Sequence, residues 1–512
     1  MSNCIIINGG TVNQDTFGRI NRTLGAYRIA SALNDVGYST FVFDFINEFS
    51  TDEILKILDK HIDDETLWVG FSSSFFWPKS TNEVKANAWT GVRLGNQELN
   101  EMYWMSYDEI EKIIKHIKKN EHVKLLYGGS KTPYFLIDEN IDYYVLGYGD
   151  ISVLDITDYL ANKKSSIEYC EPIIINEKTR YKVDSFKYPE PTMNNISTHW
   201  WDKKFNILPN ESLPIELARG CIFKCKFCNF PLLGKKKGTY LRDSDEIRDN
   251  LIRMYEVHGT TSYFLTDDTF NDDNDKIEAL HKVFTSLPFK PKFSAYLRID
   301  LLNKYPHQAQ MLTEMGLMGS FFGIETLQYE SAKAIGKGMH PNKVKDRLYW
   351  LKEQWKNKVN MSAGFILGLP YDTHEYFYDL INWSLESDNP LQEMLFYPLM
   401  LFHYEKNAEL NRYSSEFSLN PEIYGYVMEN VAKWSLPSQG LNFNMCKTIA
   451  DEYNMMRGDR NKFSAFAMNN MLNVDIPLEH ILKHTQVELR QMYNIKELND
   501  EKINNYKEML LT

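Results

Sequence analysis

The chain has 512 residues, too many for one hydrophobic core, so about three domains are expected. Its 43% hydrophobic and 25% charged residues are ordinary for a globular chain, and no run approaches the ~18 apolar residues of a membrane span. The net charge of −12, from 57 basic and 69 acidic residues, argues against a general nucleic-acid binder, which needs clustered Lys and Arg. The opening MSNCIIINGG lacks the basic flank and long apolar core of a signal peptide. Six cysteines, three of them clustered, do not look like a disulfide framework in a chain this size, so a reducing cytoplasm is expected.

Residues 1–160 alternate strand and helix signals. Ile5–Asn8 reads as a short strand, and Ala26, Ile29, Ala30 and Leu33 share one helical face. Thr40–Phe45 is a second strand; Ser50 and Glu53 then form a capping box ahead of Ile54, Ile57 and Leu58. Trp68–Phe71 is the third strand, and Ser106 with Glu109 repeats the box before Ile110, Ile113, Ile114 and Ile117. Lys124–Tyr127 and Tyr143–Leu146 complete five strands, the last two ending at Gly128-Gly129 and Gly147-x-Gly149. This order predicts a doubly wound parallel α/β sheet with ligands at the carboxyl ends of its strands. The long insertion Phe75–Tyr103 is either a functional loop or a packing surface. Residues 161–210 show no clear periodicity and read as a linker, which Trp200 and Trp201 pin to a domain face.

Residues 211–400 open a second series. Strand signals at Leu213–Leu217, Ser262–Leu265, Lys292–Leu297, Gly319–Ile324, Met361–Leu367 and Glu393–Tyr397 alternate with amphipathic segments. Six βα units fall short of the ~250 residues of an eight-unit barrel, so a partial (β/α)6 barrel is expected. Residues 401–512 read as a polar, Met-rich helical region without assignable chemistry, and Cys446 as a buried structural thiol.

The first strand of this series runs into ARGCIFKCKFCNF, which sets Cys221, Cys225 and Cys228 at C-x3-C-x2-C spacing. Thiolates so close can converge on one metal centre, and soft sulfur favours zinc or an iron–sulfur cluster. A closed zinc site wants four protein ligands, and no fourth Cys or His lies nearby. Three ligands suit a four-iron cluster with one iron left open. The pattern resembles the radical S-adenosylmethionine (radical SAM) superfamily, whose members use three such cysteines and let SAM chelate the fourth iron. A non-catalytic zinc or iron–sulfur protein is the competing reading. The nearby run Lys235-Lys236-Lys237 is either a solvated loop or an anion contact.

The resemblance implies roles at successive strand ends. Phe227 matches the aromatic that packs near the adenine of SAM. In Thr266-Asp267-Asp268-Thr269-Phe270, Asp267 and Asp268 match the edge that meets the methionyl ammonium, while Asp272 and Asp273 read better as a solvated turn or helix cap. Arg298 looks like the partner of the SAM carboxylate, with an internal salt bridge to Asp300 or Asp267 as the alternative. Glu325 resembles the ribose-binding position, and Gly336-Lys337-Gly338 also matches the family. Ile366 and Gly368 fall in the G-x-I-x-G pattern whose backbone edges meet adenine.

Residues 1–160 resemble the cobalamin-binding domain that precedes many radical SAM domains, through the β/α order, Ser72-Ser73, the double glycine and LGYGD. The first loop, NGGTVNQDTFGR, holds Asp15 and Gly18 but not the cobalt-ligating His of free-standing cobalamin domains. Cobalamin therefore stays open against a flavodoxin-like scaffold. The implied cofactors are a [4Fe-4S] cluster and SAM, with cobalamin as the open third. The implied partners are a low-potential donor (ferredoxin or flavodoxin) and a small-molecule or peptide substrate, with neither nucleic acid nor membrane. The implied reaction is reductive SAM cleavage that starts radical chemistry: methyl transfer if cobalamin binds, otherwise a rearrangement, cyclisation or oxidation.

Overall fold

The computed structural model describes residues 3–10, 19–73, 76, 105, 107–129, 138–189, 201–230, 232–236, 240–402, 414–430 and 433–511. Asp15, Gly18, nearly all of the insertion Phe75–Tyr103, Ser106, Trp200 and Lys237 lie outside them. The chain divides into two compact units.

Unit 1 comprises Met1–Glu211, Glu256–Gly259 and Ile495–Thr512. Strands β1 (Asn3–Ile7), β2 (Ser39–Phe43), β3 (Thr66–Ser72), β4 (Lys124–Gly129) and β5 (Tyr143–Leu146) are parallel, in spatial order β2-β1-β3-β4-β5. The reversal of order at β1 is that of a doubly wound sheet. Connecting them are α1 (Leu24–Asp35), α2 (Thr51–His61), α3 (Tyr107–Ile117) and α4 (Ser152–Leu160). Ser50 and Glu53 form the expected reciprocal cap on α2.

Part of the stretch expected as a linker belongs to this sheet. β6 (Cys170–Ile175) and β7 (Lys178–Asp184) form an antiparallel hairpin, and β7 pairs parallel with β5. Most of its side chains are exposed or half-buried, so no apolar alternation marks it in the sequence. Trp201 is buried against Tyr27, with ring centroids 4.5 Å apart, and so does pin the chain to its own unit.

Unit 2 comprises Ser212–Tyr255 and Thr260–Asn494. Its main sheet is β8 (Leu213–Ile215), β9 (Ser262–Leu265), β10 (Lys292–Leu297), β11 (Leu317–Glu325), β12 (Asn360–Leu367) and β13 (Glu393–Pro398), all parallel and in unbroken chain order. Between them run α5 (Ser244–His258), α6 (Asn274–Thr285), α7 (Ile299–Lys304), α8 (Gln308–Met315), α9 (Tyr329–Ala334), α10 (Pro341–Trp355) and α11 (His374–Ser384). A sheet that never reverses order, with right-handed crossovers, carries its helices on one face, which is the topology of an opened barrel. Alternate side chains obey this. Phe293 meets Phe284 of α6 and Phe322 stacks on Trp355 of α10, while Ser294, Tyr296 and Phe321 point to the other face.

That inner face is covered by the chain after β13. This region contains α12 (Glu416–Leu419), a small three-stranded sheet (β14 Val427–Met428, β15 Trp434–Leu436, β16 Leu441–Asn442), α13 (Phe443–Gly458), α14 (Ala467–Asn473), α15 (Leu478–Lys483) and α16 (Gln486–Met492). The tail is mostly helical, as expected, and also carries these three short strands. The final helix, α17 (Ile495–Leu511), belongs to unit 1. Residues 462–466 lie along the inner face of the main sheet. Ser294 donates to the Ala465 carbonyl and Asn360 to that of Phe463, while the Ala465 amide donates to Ser362 at 3.2 Å. No helix among the described residues is long and apolar enough to cross a membrane.

Candidate functional site

The three clustered cysteines leave the carboxyl end of β8 on a loop that is tied down at both ends. Gly220 takes φ +93°, and a Cβ there would lie 2.6 Å from the Leu232 carbonyl, so the turn into the loop requires glycine. The Cys221 amide donates to the Leu232 carbonyl at 3.0 Å, and the Lys235 amide donates to the Cys221 carbonyl at 2.9 Å. Cys228 donates its amide to the Cys225 carbonyl at 3.0 Å, closing the tight turn between the last two thiols. The Lys226 amide donates to the Ile335 carbonyl at 3.2 Å, which fixes this turn to the end of α9. All six cysteines of the chain are free thiols.

The electrostatics differ from thiol to thiol. Burial pushes the Cys221 thiol up, opposed by hydrogen bonds from Thr269 and the Phe223 amide. Burial pushes Cys228 up to about 12, with the Phe230 amide opposing and the charges of Cys225, Asp268 and Cys221 adding to the rise. Cys225 instead receives a hydrogen bond from Arg298 Nη1 at 3.5 Å. Cys228 therefore feels both of the other thiols, which share its short loop. Among the described residues, no three His, Cys, Asp or Glu side chains are grouped so as to hold a single metal ion. A tetrahedral zinc draws its ligands to one point about 2.3 Å away, whereas a four-iron cube spreads its thiolates over separate corners. Three soft sulfur donors on one loop suit a [4Fe-4S] cluster with one iron left open.

The neighbouring strand ends supply the other expected residues. After β9, Asp267 is buried; its Oδ1 accepts from the Leu217 and Ala218 amides at 2.9 and 3.1 Å, and Oδ2 pairs with Lys276 Nζ at 3.1 Å. This carboxylate ties the end of β8 to β9. Asp268 is half-buried and lifted to about 6 by burial and the Asp267 charge, against the pull of Lys276. Asp272 is buried rather than solvated, accepting from Tyr240 Oη at 2.6 Å and Lys276 Nζ at 3.2 Å. Asp273 caps α6 through the Asp275 amide at 3.1 Å, as expected. Lys276 was not a sequence candidate, although its i,i+4 spacing from Asp272 was visible.

After β10, the Arg298 guanidinium forks onto Asp300 at 3.0 and 2.9 Å, so the internal salt bridge is present. After β11, a register shift between Gly323 and Glu325 marks a bulge, and Glu325 takes φ +69°. The bulge re-aims its side chain, so that a Cβ on Gly323 would lie 2.7 Å from Glu325 Oε1. The carboxylate pairs with Lys337 Nζ at 3.1 Å. Ile366 is half-buried near the end of β12. Gly368 has φ +94°, and a Cβ there would lie 2.3 Å from Trp434 and 3.1 Å from Cys446 Sγ. Its carbonyl accepts from Tyr426 Oη at 2.8 Å. Phe227 is half-buried beside Cys228 on the loop.

Two aromatic features escaped the sequence reading. Phe223 lies under the Arg298 guanidinium, 3.8 Å from ring centroid to carbon. Phe466 packs on Tyr296, Phe264 and Phe321 at 4.3, 4.8 and 5.8 Å between centroids. It floors the inner face at a level where Tyr296 is still 36% exposed. The glycine inside β11 was a signal: a Cβ on Gly319 would lie 2.9 Å from the Ala465 backbone, a close approach that only glycine permits.

A sequence model of the radical SAM superfamily matches residues 215–384, the span that carries all of these strand ends up to α11. Unit 2 contains a radical SAM domain. An uncharacterised methyltransferase of Synechocystis is 26% identical over 251 residues, which cover 48% of this chain and 44% of that protein. Bacteriochlorophyllide d C-8(2)-methyltransferase of Chlorobaculum tepidum is 23% identical over 193 residues, covering 35% and 41%. The matched regions thus span less than half the length of these curated relatives. The structure of the radical SAM methyltransferase TsrM from Kitasatospora setae matches 96% of this chain and 99% of its own, with TM-score 0.63 and 13% identity. That likeness shows a shared fold. Domains of this superfamily work with a [4Fe-4S] cluster and SAM. In this domain Cys221, Cys225 and Cys228 would hold the cluster.

Proposed function

We propose that the chain is a radical SAM methyltransferase acting on a small-molecule substrate, with cobalamin in unit 1. The observation that carries the proposal is the three-cysteine loop at the end of β8, with Cys221 against Thr269 after β9 and Cys225 accepting from Arg298 after β10. A cluster held by Cys221, Cys225 and Cys228 would supply the one electron needed to cleave a carbon–sulfur bond of SAM.

The protein's own part is to hold and shield. The Gly220 turn and the Leu232 and Lys235 backbone bonds hold the cysteine loop rigid. Asp268, not committed to the β8 amides as Asp267 is, is the carboxylate for the methionyl ammonium. Glu325, turned by the β11 bulge, receives the ribose hydroxyls. Phe227, Ile366 and the backbone at Gly368 border the adenine. A low-potential donor such as a ferredoxin or flavodoxin supplies the electron.

The cobalamin reading rests on the fold of unit 1. Gly129 takes φ +127° with its missing Cβ 2.5 Å from buried Ser73 Oγ, and Gly147 takes φ +94° against Phe186, so glycine at the ends of β4 and β5 makes room for the chain's own side chains. TsrM carries both cobalamin and a [4Fe-4S] cluster in its structure. One feature favours a second reading, in which unit 1 is a scaffold and the outcome is not methyl transfer: its first loop has no His to ligate cobalt. The test is to offer hydroxocobalamin to the full chain, remove the excess and record the absorption spectrum. Stoichiometric retained corrinoid is expected; none retained moves the assignment to the scaffold reading.

A further inference from the structure

Arg298 is a tightly constrained cation beside the cysteine loop. Its backbone is clamped by buried Asn271, which accepts from the Arg298 amide at 2.8 Å and donates to its carbonyl at 3.1 Å. Its side chain uses all three of its binding surfaces. Nε and Nη2 donate in parallel to the two oxygens of Asp300 at 3.0 and 2.9 Å, the fork geometry that orients a guanidinium most firmly. The face lies on the Phe223 ring at 3.8 Å, and Phe223 sits within the cysteine loop itself. The remaining edge, Nη1, donates to Cys225 Sγ at 3.5 Å. The fork that would pair with a free carboxylate is thus engaged within the protein, and the free edge is aimed at sulfur. The neutral hydroxyl of Thr269 is the corresponding contact of Cys221, at 3.5 Å.

We infer that Arg298 is a positioning residue for the iron–sulfur centre, which donates to the Cys225 thiolate and raises the cluster's reduction potential, with Asp300 and Phe223 holding it in place. Reduction adds one electron, [4Fe-4S]²⁺ + e⁻ → [4Fe-4S]⁺, and so one negative charge to the cage. A fixed cation bonded to one of its sulfurs stabilises the added charge, and hydrogen bonds to sulfur are among the factors that set cluster potentials. The inference rests on the cluster assignment made above, and it replaces the expectation that Arg298 pairs with the SAM carboxylate.

The test is potentiometry of the anaerobically reconstituted full chain without SAM, reading the reduced fraction spectroscopically against mediators with dithionite as the electron source. Arg298→Met should leave iron and sulfide content unchanged. At the wild-type midpoint, however, its ratio of reduced to oxidised cluster should fall about tenfold, which for one electron is about 59 mV toward lower potential. Arg298→Lys, which keeps the charge but loses the fork, should fall between the two. If Arg298→Met fails to load, Arg298→Lys carries the measurement, with a smaller downward shift expected. Loaded variants whose potential is unmoved or raised overturn the inference and leave the cluster assignment standing. Wild-type protein that takes up no cluster overturns both.

Discussion

At the residue scale, Glu325 shows how strain and function coincide. A non-glycine residue in the left-handed region costs on the order of 1–3 kcal/mol, and here it aims a carboxylate along the end of β11. Glu325→Gly should relieve that strain while giving up a half-buried pair with Lys337 worth about 0–1 kcal/mol. Its unfolding free energy should therefore stay within about 1 kcal/mol of wild type. SAM affinity should fall about tenfold, the weight of a lost charge-assisted hydrogen bond. Thermal melts with anaerobic equilibrium dialysis of SAM check both; unchanged affinity would remove Glu325 from the ribose site. The proposal for Cys221, Cys225 and Cys228 could be read from spacing, because candidate ligands to one centre sit within one loop. The contacts of Arg298 and Phe223 could not, because they join β10 to a loop more than seventy residues away.

At the element scale, the turn after β12 depends on one buried acid. Asp372 accepts from the Gly368 and Leu369 amides at 3.0 and 2.9 Å and from Ser331 Oγ at 2.9 Å. Burial without a cation lifts it to about 7 even against those bonds. The folded chain thus keeps a proton that the unfolded chain releases near pH 4. The stability gained from that proton is complete below about pH 4 and is lost as pH rises through about 7. Glu393, lifted to about 8 by burial against Ser362 and Arg457, acts in the same direction. Asp372→Asn can keep every contact, since its amide can donate to Ser331 Oγ, whose own proton goes to the Pro370 carbonyl at 2.7 Å. Denaturant unfolding between pH 5 and 8 should show a shallower decline in Asp372→Asn, by up to about 1.4 kcal/mol per pH unit within the window. Parallel slopes would show that Asp372 is ionised throughout.

The six strands of unit 2 could be read from the sequence almost to the residue, because parallel strands buried on both faces are short apolar runs between helical periods. The β6–β7 hairpin was hidden because it is exposed and charged. The segment across the inner face was hidden because its partners are distant strands. Gly319→Ala tests that packing: with the Ala465 backbone 2.9 Å from the new Cβ, unfolding free energy should drop by about 1–3 kcal/mol. A neutral result would mean that the segment can move aside.

At the scale of the whole molecule, a doubly wound sheet and an opened barrel share one chain, and only the second carries the clustered thiols. The central claim is that those thiols hold a cluster that breaks SAM. The most direct test is anaerobic reconstitution of the full chain, assay of metal and sulfide, and analysis of SAM products under dithionite. The account predicts about four irons and four sulfides per chain, with methionine and 5′-deoxyadenosine formed in equal amounts, and neither product from Cys225→Ala. One tightly held zinc per chain, or a loaded cluster with SAM left whole, would contradict it.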